Sequence, residues 1–138
     1  MKATPKRQRS DSAKAAVQAH QNAASAPIEP PSYVTLPEAC KPFWKAVVTS
    51  RPRDTWTDSD LILAANLARV QFALQSADVG SDDHAKLPLL AMALARSCYV
   101  HATATVGRAA DMVDEATAER EARNQADDDL IPRLRKVG

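Results

Sequence analysis

The sequence lacks the features that mark several large protein classes. Its longest apolar run, residues 87–95, is about half the length that a membrane-spanning helix needs. Only two cysteines are present, Cys40 and Cys98, and their spacing fits no disulfide framework, which favours a reducing compartment. No phosphate-binding loop, dinucleotide fingerprint or metalloprotease motif occurs. We therefore expect neither a membrane protein nor a disulfide-stabilised domain, and we expect no enzyme.

Metal-ligating residues are also scarce and scattered. Cys98 and His101 lie one helical turn apart, which is half of a zinc site in spacing, and only Cys40 and His84 could complete it. A buried thiol and a packed imidazole explain the same residues without a metal. We predict no metal site, no cofactor and no catalytic residues.

Charge is distributed unevenly along the chain, although its formal net charge is only +1. Residues 1–30 carry a balance of +3 and the remaining residues a balance of −2. The cations of this N-terminal arm are Lys2, Lys6, Arg7, Arg9 and Lys14. A basic arm on a mildly acidic body is typical of nucleic-acid binders, but composition alone fits a solubilising tail equally well.

Three regions follow from these shifts in composition. Residues 1–32 form the basic arm, with a short alanine-rich helix over residues 10–24, capped by Ser10 or Asp11, and a proline-rich linker. Because alanine buries little area, this helix would order on DNA or against a neighbouring subunit. Residues 33–126 form a helical core and oligomerisation domain, and residues 127–138 form a short tail.

The clearest helix start in the chain is at Thr57. This residue occupies a natural N-cap position, and Asp58 and Asp60 place carboxylates in the first turn, near the positive end of the helix dipole. Trp56 before the cap and Leu61 after it have the spacing of a hydrophobic staple.

Two apolar stripes follow along this helix. One consists of Leu61, Ala65, Ala68 and Phe72, and the other consists of Leu63, Leu67, Val70 and Leu74. A surface helix needs only one apolar face, so we expect this helix to be sandwiched between two other elements.

A shorter helix precedes it and carries an apolar face. This face consists of Phe43, Trp44, Val47 and Val48. The helix either runs from Thr35 with a kink at Pro42 or begins at Pro42, because proline removes an internal hydrogen bond. The connector to the next helix carries Arg51 and Arg53, which we expect to face water.

The longest periodic stretch of the sequence begins at Pro88, which suits the first turn of a helix. Apolar and small residues recur at spacings of three and four, including Leu87, Leu90, Leu94, Cys98 and Met112. They predict one helix over residues 88–125, roughly 55 Å long. The alternative is a break at Gly107.

The middle of the chain resembles the phage terminase small subunit family. The resemblance rests on Leu36, on Trp44 followed by Val47 and Val48, on the Trp56-Thr57-Asp58-x-Asp60-Leu61 segment, and on the helix that contains residues 64–68. It implies an all-α protein that binds double-stranded viral DNA at the packaging start site and assembles into a homo-oligomeric ring. It also implies transfer of that DNA to a large subunit with the ATPase and nuclease, in the cytoplasm of the infected bacterial host.

Two sets of residues are predicted to carry these roles. The DNA-binding set is Lys2, Lys6, Arg7, Arg9, Lys14, Lys41, Lys45, Arg51 and Arg53. The core and oligomerisation set is Trp44, Trp56, Leu61, Leu63, Leu67, Phe72, Leu90, Leu94 and Met112. Phosphate contacts should dominate over base readout.

Oligomerisation is expected because the helices carry more apolar surface than one small subunit can bury. Head-to-tail contacts between copies would cover that surface and close into a ring, with about nine subunits as the expected size. A helical scaffold without a DNA role and a small dimeric transcription regulator are the alternative functions.

Overall fold

The computed structural model describes residues 12–100 and 108–129, which contain helices and no strand. The five α-helices are α1 (Ala13–Ala24), α2 (Lys41–Val48), α3 (Asp58–Ser76), α4 (Asp82–Ser97) and α5 (Arg108–Asp129). Short 3-10 turns at Glu38–Cys40 and Arg53–Thr55 precede α2 and α3. The all-α fold class is confirmed.

Helix α3 begins where the sequence places it. The Thr57 hydroxyl accepts the Asp60 N–H at 3.3 Å, and the Asp60 carboxylate accepts the Thr57 N–H at 3.3 Å. This reciprocal capping box satisfies two backbone donors that a helix start leaves unpaired. Trp56 packs against the apolar cluster that contains Leu61, as the staple requires.

The two stripes of α3 face two different neighbours, so its predicted sandwiched position is confirmed. One cluster joins α2 to α3 and contains Trp44, Val48, Leu61, Ala64, Ala65 and Ala68. The other joins α3 to α4 and contains Leu67, Val70 and Ala91. Since most of both stripes is covered within one chain and Phe72 is their one exposed residue, α3 supplies less of the apolar surplus than the prediction of an oligomer assumed.

Helix α2 begins beside Pro42, not at Thr35. Pro42 lies in the first turn, where its missing N–H would be unpaired in any helix. The preceding residues form the 3-10 turn instead of a kinked helix. The Trp44 indole N–H donates to the Ile28 carbonyl at 2.8 Å. This hydrogen bond attaches the proline-rich linker to the core.

The prediction of one helix over residues 88–125 is wrong. Helix α4 begins at Asp82, capped by the Ser81 hydroxyl, so Pro88 lies inside the helix and not in its first turn. The helix then ends at Ser97, well before Gly107, which lies outside the described residues.

Tyr99 ends α4 by adopting a left-handed backbone conformation, with φ at 56°. Its N–H donates to the Arg96 carbonyl at 3.1 Å, and the Val100 N–H donates to the Ala95 carbonyl at 3.0 Å. These two bonds form a Schellman motif, which usually has glycine at the left-handed position. Val100 also packs against the cluster between α3 and α4, which supplies the apolar contact of that motif.

Helix α1 packs along α5 within the same chain. Its N-cap is Ser12, not Ser10 or Asp11, and the Ser12 hydroxyl accepts the Ala15 N–H at 3.1 Å. The buried residues of the two helices are Ala15, Ala19 and Asn22 on α1 and Ala116, Glu119 and Ala122 on α5. Small side chains allow close approach, so this arm helix needs neither DNA nor a neighbouring subunit as its packing partner.

The predicted core and oligomerisation residues differ in exposure. Trp44, Leu61 and Leu67 are buried. Trp56, Leu63, Leu94 and Met112 are half-buried, whereas Phe72 and Leu90 are exposed. On α4 the inward position next to Leu90 is Ala91. Within the described part of the chain, no helix combines the length and apolarity that crossing a membrane would require.

Candidate nucleic-acid interface

The predicted cations of the arm are only partly covered by the structure. Lys2, Lys6, Arg7 and Arg9 lie outside the described residues. Lys14 is exposed on α1 and lines a cavity between α1, the α2–α3 connector and α5.

Arg51 is buried, so the expectation that it faces water is wrong. Its side chain is 2 % exposed and forms an ion pair with Asp60 at 3.1 Å. The guanidinium also donates to the Thr55 carbonyl at 2.5 Å and to the Cys98 carbonyl at 2.8 Å. It lies 4.3 Å from the centre of the Trp56 ring, in cation–π contact.

These contacts give Arg51 a structural role. They fasten the connector to the start of α3 and to the end of α4, and they leave no free face for a phosphate oxygen. The Cys98 thiol beside it is buried, which raises its pKa to about 11 and keeps it protonated near neutral pH.

Helix α2 presents two exposed lysines four residues apart. Lys41 donates to the Glu38 carboxylate at 2.5 Å, and this hydrogen bond raises the pKa of the Lys41 ammonium. Lys45 is exposed one turn further along, toward the C-terminal end of α2. Lys45 is therefore the better phosphate ligand of the two, since its charge is not paired within hydrogen-bond distance of a described carboxylate.

Four cations lie near Thr49, where the C-terminal end of α2 contacts α5. Lys45 lies one turn before Thr49, and the Arg120 guanidinium donates to the Thr49 carbonyl at 3.4 Å. Arg53 and Arg123 line the same groove beside Thr49. Lys45, Arg53, Arg120 and Arg123 are called the basic cluster below.

Sequence reasoning identified half of the basic cluster. Arg120 and Arg123 were not among the predicted DNA-binding residues, because no local pattern shows that α5 contacts the C-terminal end of α2. The contact spans residues 49 and 120, so only the tertiary structure brings these cations together.

Glu119 lies within the basic cluster and is 8 % exposed. Its carboxylate accepts the Arg53 backbone N–H at 3.3 Å and a guanidinium N–H of Arg123 at 3.4 Å. Burial raises the pKa of the Glu119 carboxyl despite these donors. The cluster thus holds four cations and one internal anion.

The cavity between α1, the connector and α5 has a volume of about 260 Å³ and a largely acidic wall. Asp54, Glu115 and Glu119 line it together with Lys14. The Asn22 amide donates to the Asp54 carboxylate at 3.3 Å, which joins α1 to the connector. Burial, followed by the charges of Asp54 and Asp111, raises the pKa of Glu115. This wall would repel a nucleic-acid backbone, so the basic cluster is the better candidate interface.

Helix α4 presents an apolar outer face. Leu89 is 71 % exposed, Leu90 is 48 % exposed and Met92 is 41 % exposed. They lie opposite the inward side of the helix, which Ala91 and Cys98 occupy.

Comparison with known proteins supplies the family context. The model of the Hendrixvirinae small terminase family matches residues 1–87 and 81–138 of the chain. A protein of Enterobacteria phage HK97 named "Terminase, small subunit" is 32 % identical over 152 residues, which cover 91 % of this chain and 94 % of that relative.

Proposed function

We propose, because this chain belongs to the Hendrixvirinae small terminase family and so takes part in phage DNA packaging, that it binds the backbone of double-stranded viral DNA through the basic cluster. Copies of the chain assemble into a ring and deliver the bound DNA to the large terminase subunit, in the cytoplasm of the infected bacterium. The protein acts without catalysis of its own.

The observation that carries this proposal is that three arginines from the connector and α5 lie around Thr49, one helical turn from the exposed Lys45. Arginine and lysine on a folded surface bind phosphate oxygens, and each neutralised phosphate releases counterions. Four cations in one subunit bind weakly, but a ring repeats them in every copy. The repeated clusters then act together on one duplex, because each bound cluster raises the effective concentration of the next.

Ring assembly is proposed from the outer face of α4. Its exposed leucines and methionine form an apolar surface that a neighbouring copy would cover. A head-to-tail contact of this kind closes into a ring when its rotation permits. About nine subunits remains the expected size.

The experiment is retention of the full chain on duplex DNA at low salt, followed by a salt titration. The test variant changes Lys45, Arg53, Arg120 and Arg123 to glutamine, and we expect it to lose most of the retention. A control variant with three exposed cations outside the cluster, Lys86, Arg69 and Arg96, changed to glutamine should lose much less for each charge removed. Equal losses in the two variants would contradict a specific role for the basic cluster.

The contribution of the N-terminal arm requires a careful truncation. Removing residues 1–30 would delete α1 and the Ile28 contact to Trp44, and would therefore disturb the fold. Removing residues 1–11 leaves the Ser12 cap in place. A weaker but still salt-dependent retention after this shorter truncation would assign Lys2, Lys6, Arg7 and Arg9 to the interface as well.

A further inference from the structure

Glu119 occupies the position in the basic cluster where an external anion would bind. Its two carboxylate oxygens accept from different donors, the Arg53 backbone N–H and the Arg123 guanidinium. A backbone N–H and a guanidinium are also the donors that bind a phosphodiester oxygen. In the free protein, the Glu119 carboxylate therefore accepts the hydrogen bonds that these two donors could otherwise give to a DNA phosphate.

Arg123 remains accessible from solvent while it is paired. Its side chain is 31 % exposed, whereas that of Glu119 is 11 % exposed. An incoming phosphate can thus approach Arg123 from outside without entering the protein. The pair is a helical i,i+4 contact at 3.4 Å, and contacts of this kind are weak enough to exchange partners.

We propose that Glu119 competes with DNA phosphate for Arg123 and thereby limits the affinity of the basic cluster for a phosphodiester backbone. The inference rests on the proposed function, because it concerns the same interface. It assigns a regulatory carboxylate to an interface for which the sequence predicted only cations.

The surroundings of Glu119 favour this role over a purely structural one. On one side Glu119 faces the acidic cavity wall, where the negative charges of Asp54 and Glu115 oppose its own. Lys14 is the cation among the described residues that line this cavity. On the other side Glu119 faces Arg53, Arg120 and Arg123. The two carboxylates on the cavity side oppose the charge of Glu119, and a neutral amide could accept the Arg53 N–H without that cost.

The test compares two isosteric substitutions on α5 in the full chain. Glu119→Gln removes the internal anion but keeps an oxygen that can accept the Arg53 N–H. Glu121→Gln makes the same change in net charge at an exposed position outside the cluster. Fluorescence anisotropy with a labelled duplex of arbitrary sequence gives the affinity of each chain, with thermal unfolding as a check of folding.

We expect Glu119→Gln to bind duplex DNA about fivefold more tightly, the upper size for one exposed ion pair. Its salt dependence should also steepen, by about 0.9 in the logarithmic slope for each phosphate gained. Glu121→Gln should change affinity less than about twofold, because its charge is remote and screened.

A double-mutant cycle separates the pair from general electrostatics. Arg123→Gln alone should weaken binding only slightly, because Glu119 already neutralises this arginine. Arg123→Gln added to Glu119→Gln should abolish the gain. Identical behaviour of the Glu119 and Glu121 variants, with the unmodified chain still binding DNA, would overturn this inference alone. Failure of all chains to bind duplex DNA at low salt would overturn the proposed function as well.

Discussion

At the scale of single residues, Arg51 decides how the middle of the chain is arranged. Its guanidinium is shared between the Thr55 carbonyl, the Asp60 carboxylate and the Cys98 carbonyl. In an uninterrupted helix the Cys98 carbonyl would accept the N–H of residue 102. The hydrogen bond from Arg51 therefore replaces the one that the Cys98 carbonyl would accept if α4 continued.

Replacing Arg51 by methionine should therefore destabilise the fold by about 2–4 kcal/mol, because Asp60 would lose its partner. Methionine keeps the volume beside Trp56 but removes the charge, the cation–π contact and the hydrogen bonds to the Thr55 and Cys98 carbonyls. Arg96→Met, on the exposed side of α4, should alter stability by less than about 0.5 kcal/mol. Urea unfolding of both variants at one fixed protein concentration measures the difference. Equal midpoints would show that the buried pair contributes nothing.

The sequence could not reveal this role of Arg51. The connector is a polar segment with two arginines and one proline, and such segments normally face water. Arg53 partly fits that expectation, but Arg51 turns inward because Trp56 and Asp60 offer it a stacking face and a carboxylate. The Cys98 carbonyl, which also accepts a hydrogen bond from Arg51, is 47 residues away in the sequence, so no local pattern indicates this contact.

At the scale of helices, the α1–α5 pair depends on small residues. Ala15 and Ala19 of α1 and Ala116 and Ala122 of α5 are buried where these helices meet. There is little room for a larger side chain at such positions, since close-packed interiors have few voids.

Ala19→Leu should separate α1 from α5 and lower the free energy of unfolding by about 1–3 kcal/mol. Ala16→Leu places the same side chain on the exposed face of α1 and serves as the matched control. Thermal melting of both variants tests the contact. If Ala16→Leu were as damaging as Ala19→Leu, the packing of α1 on α5 would be in doubt.

The same helix pair should respond to pH. Burial raises the pKa values of Glu115 and Glu119 above their ordinary values, so the folded chain binds protons that the unfolded chain releases. Their contribution to stability is therefore fully present below the ordinary pKa of glutamate and is lost as pH rises through the raised values.

Changing both glutamates to glutamine should accordingly stabilise the chain near neutral pH and flatten the dependence of stability on pH in the weakly acidic range. Urea midpoints measured across that range give the slope. The control is Glu121→Gln, for which no such flattening is expected. A steeper slope in the double variant would mean that the sign of these shifts is wrong.

The helices that the sequence predicted best are those with strong local signals. The capping box of α3 specifies where this helix begins, and its two apolar stripes specify its length and its burial on two sides. The end of α4 was missed because Tyr99 takes a left-handed position that glycine normally occupies, and no glycine or proline marks it. The packing of α1 on α5 was missed because alanine stripes identify a contact surface without identifying its partner.

At the scale of the whole molecule, the apolar surplus differs from the one expected. Helix α3 is mostly covered by its own chain, although Ile62 and Phe72 remain exposed, and α4 exposes Leu89, Leu90 and Met92. Assembly is therefore expected from fewer residues than the sequence suggested, and three of them lie within one turn of α4. That concentration makes the interface open to a direct test.

Leu89→Gln combined with Met92→Gln should disperse the ring into smaller species at equal protein concentration. Val79→Gln changes an apolar residue that is 90 % exposed in the loop between α3 and α4, and it should leave assembly intact. Native mass spectrometry of the three proteins gives their subunit numbers. A monomeric unmodified chain, or an intact ring in the double variant, would contradict assembly through α4.

The hydrogen bond from Arg51 to the Cys98 carbonyl constrains these two positions differently in evolution. Its acceptor belongs to the main chain, which every amino acid provides, so this bond places no demand on the identity of residue 98. Its donor is a side chain with a planar fork that lysine cannot reproduce. Over time, position 98 is free to exchange cysteine for other small apolar residues, while position 51 is bound to arginine together with the carboxylate that it meets at position 60.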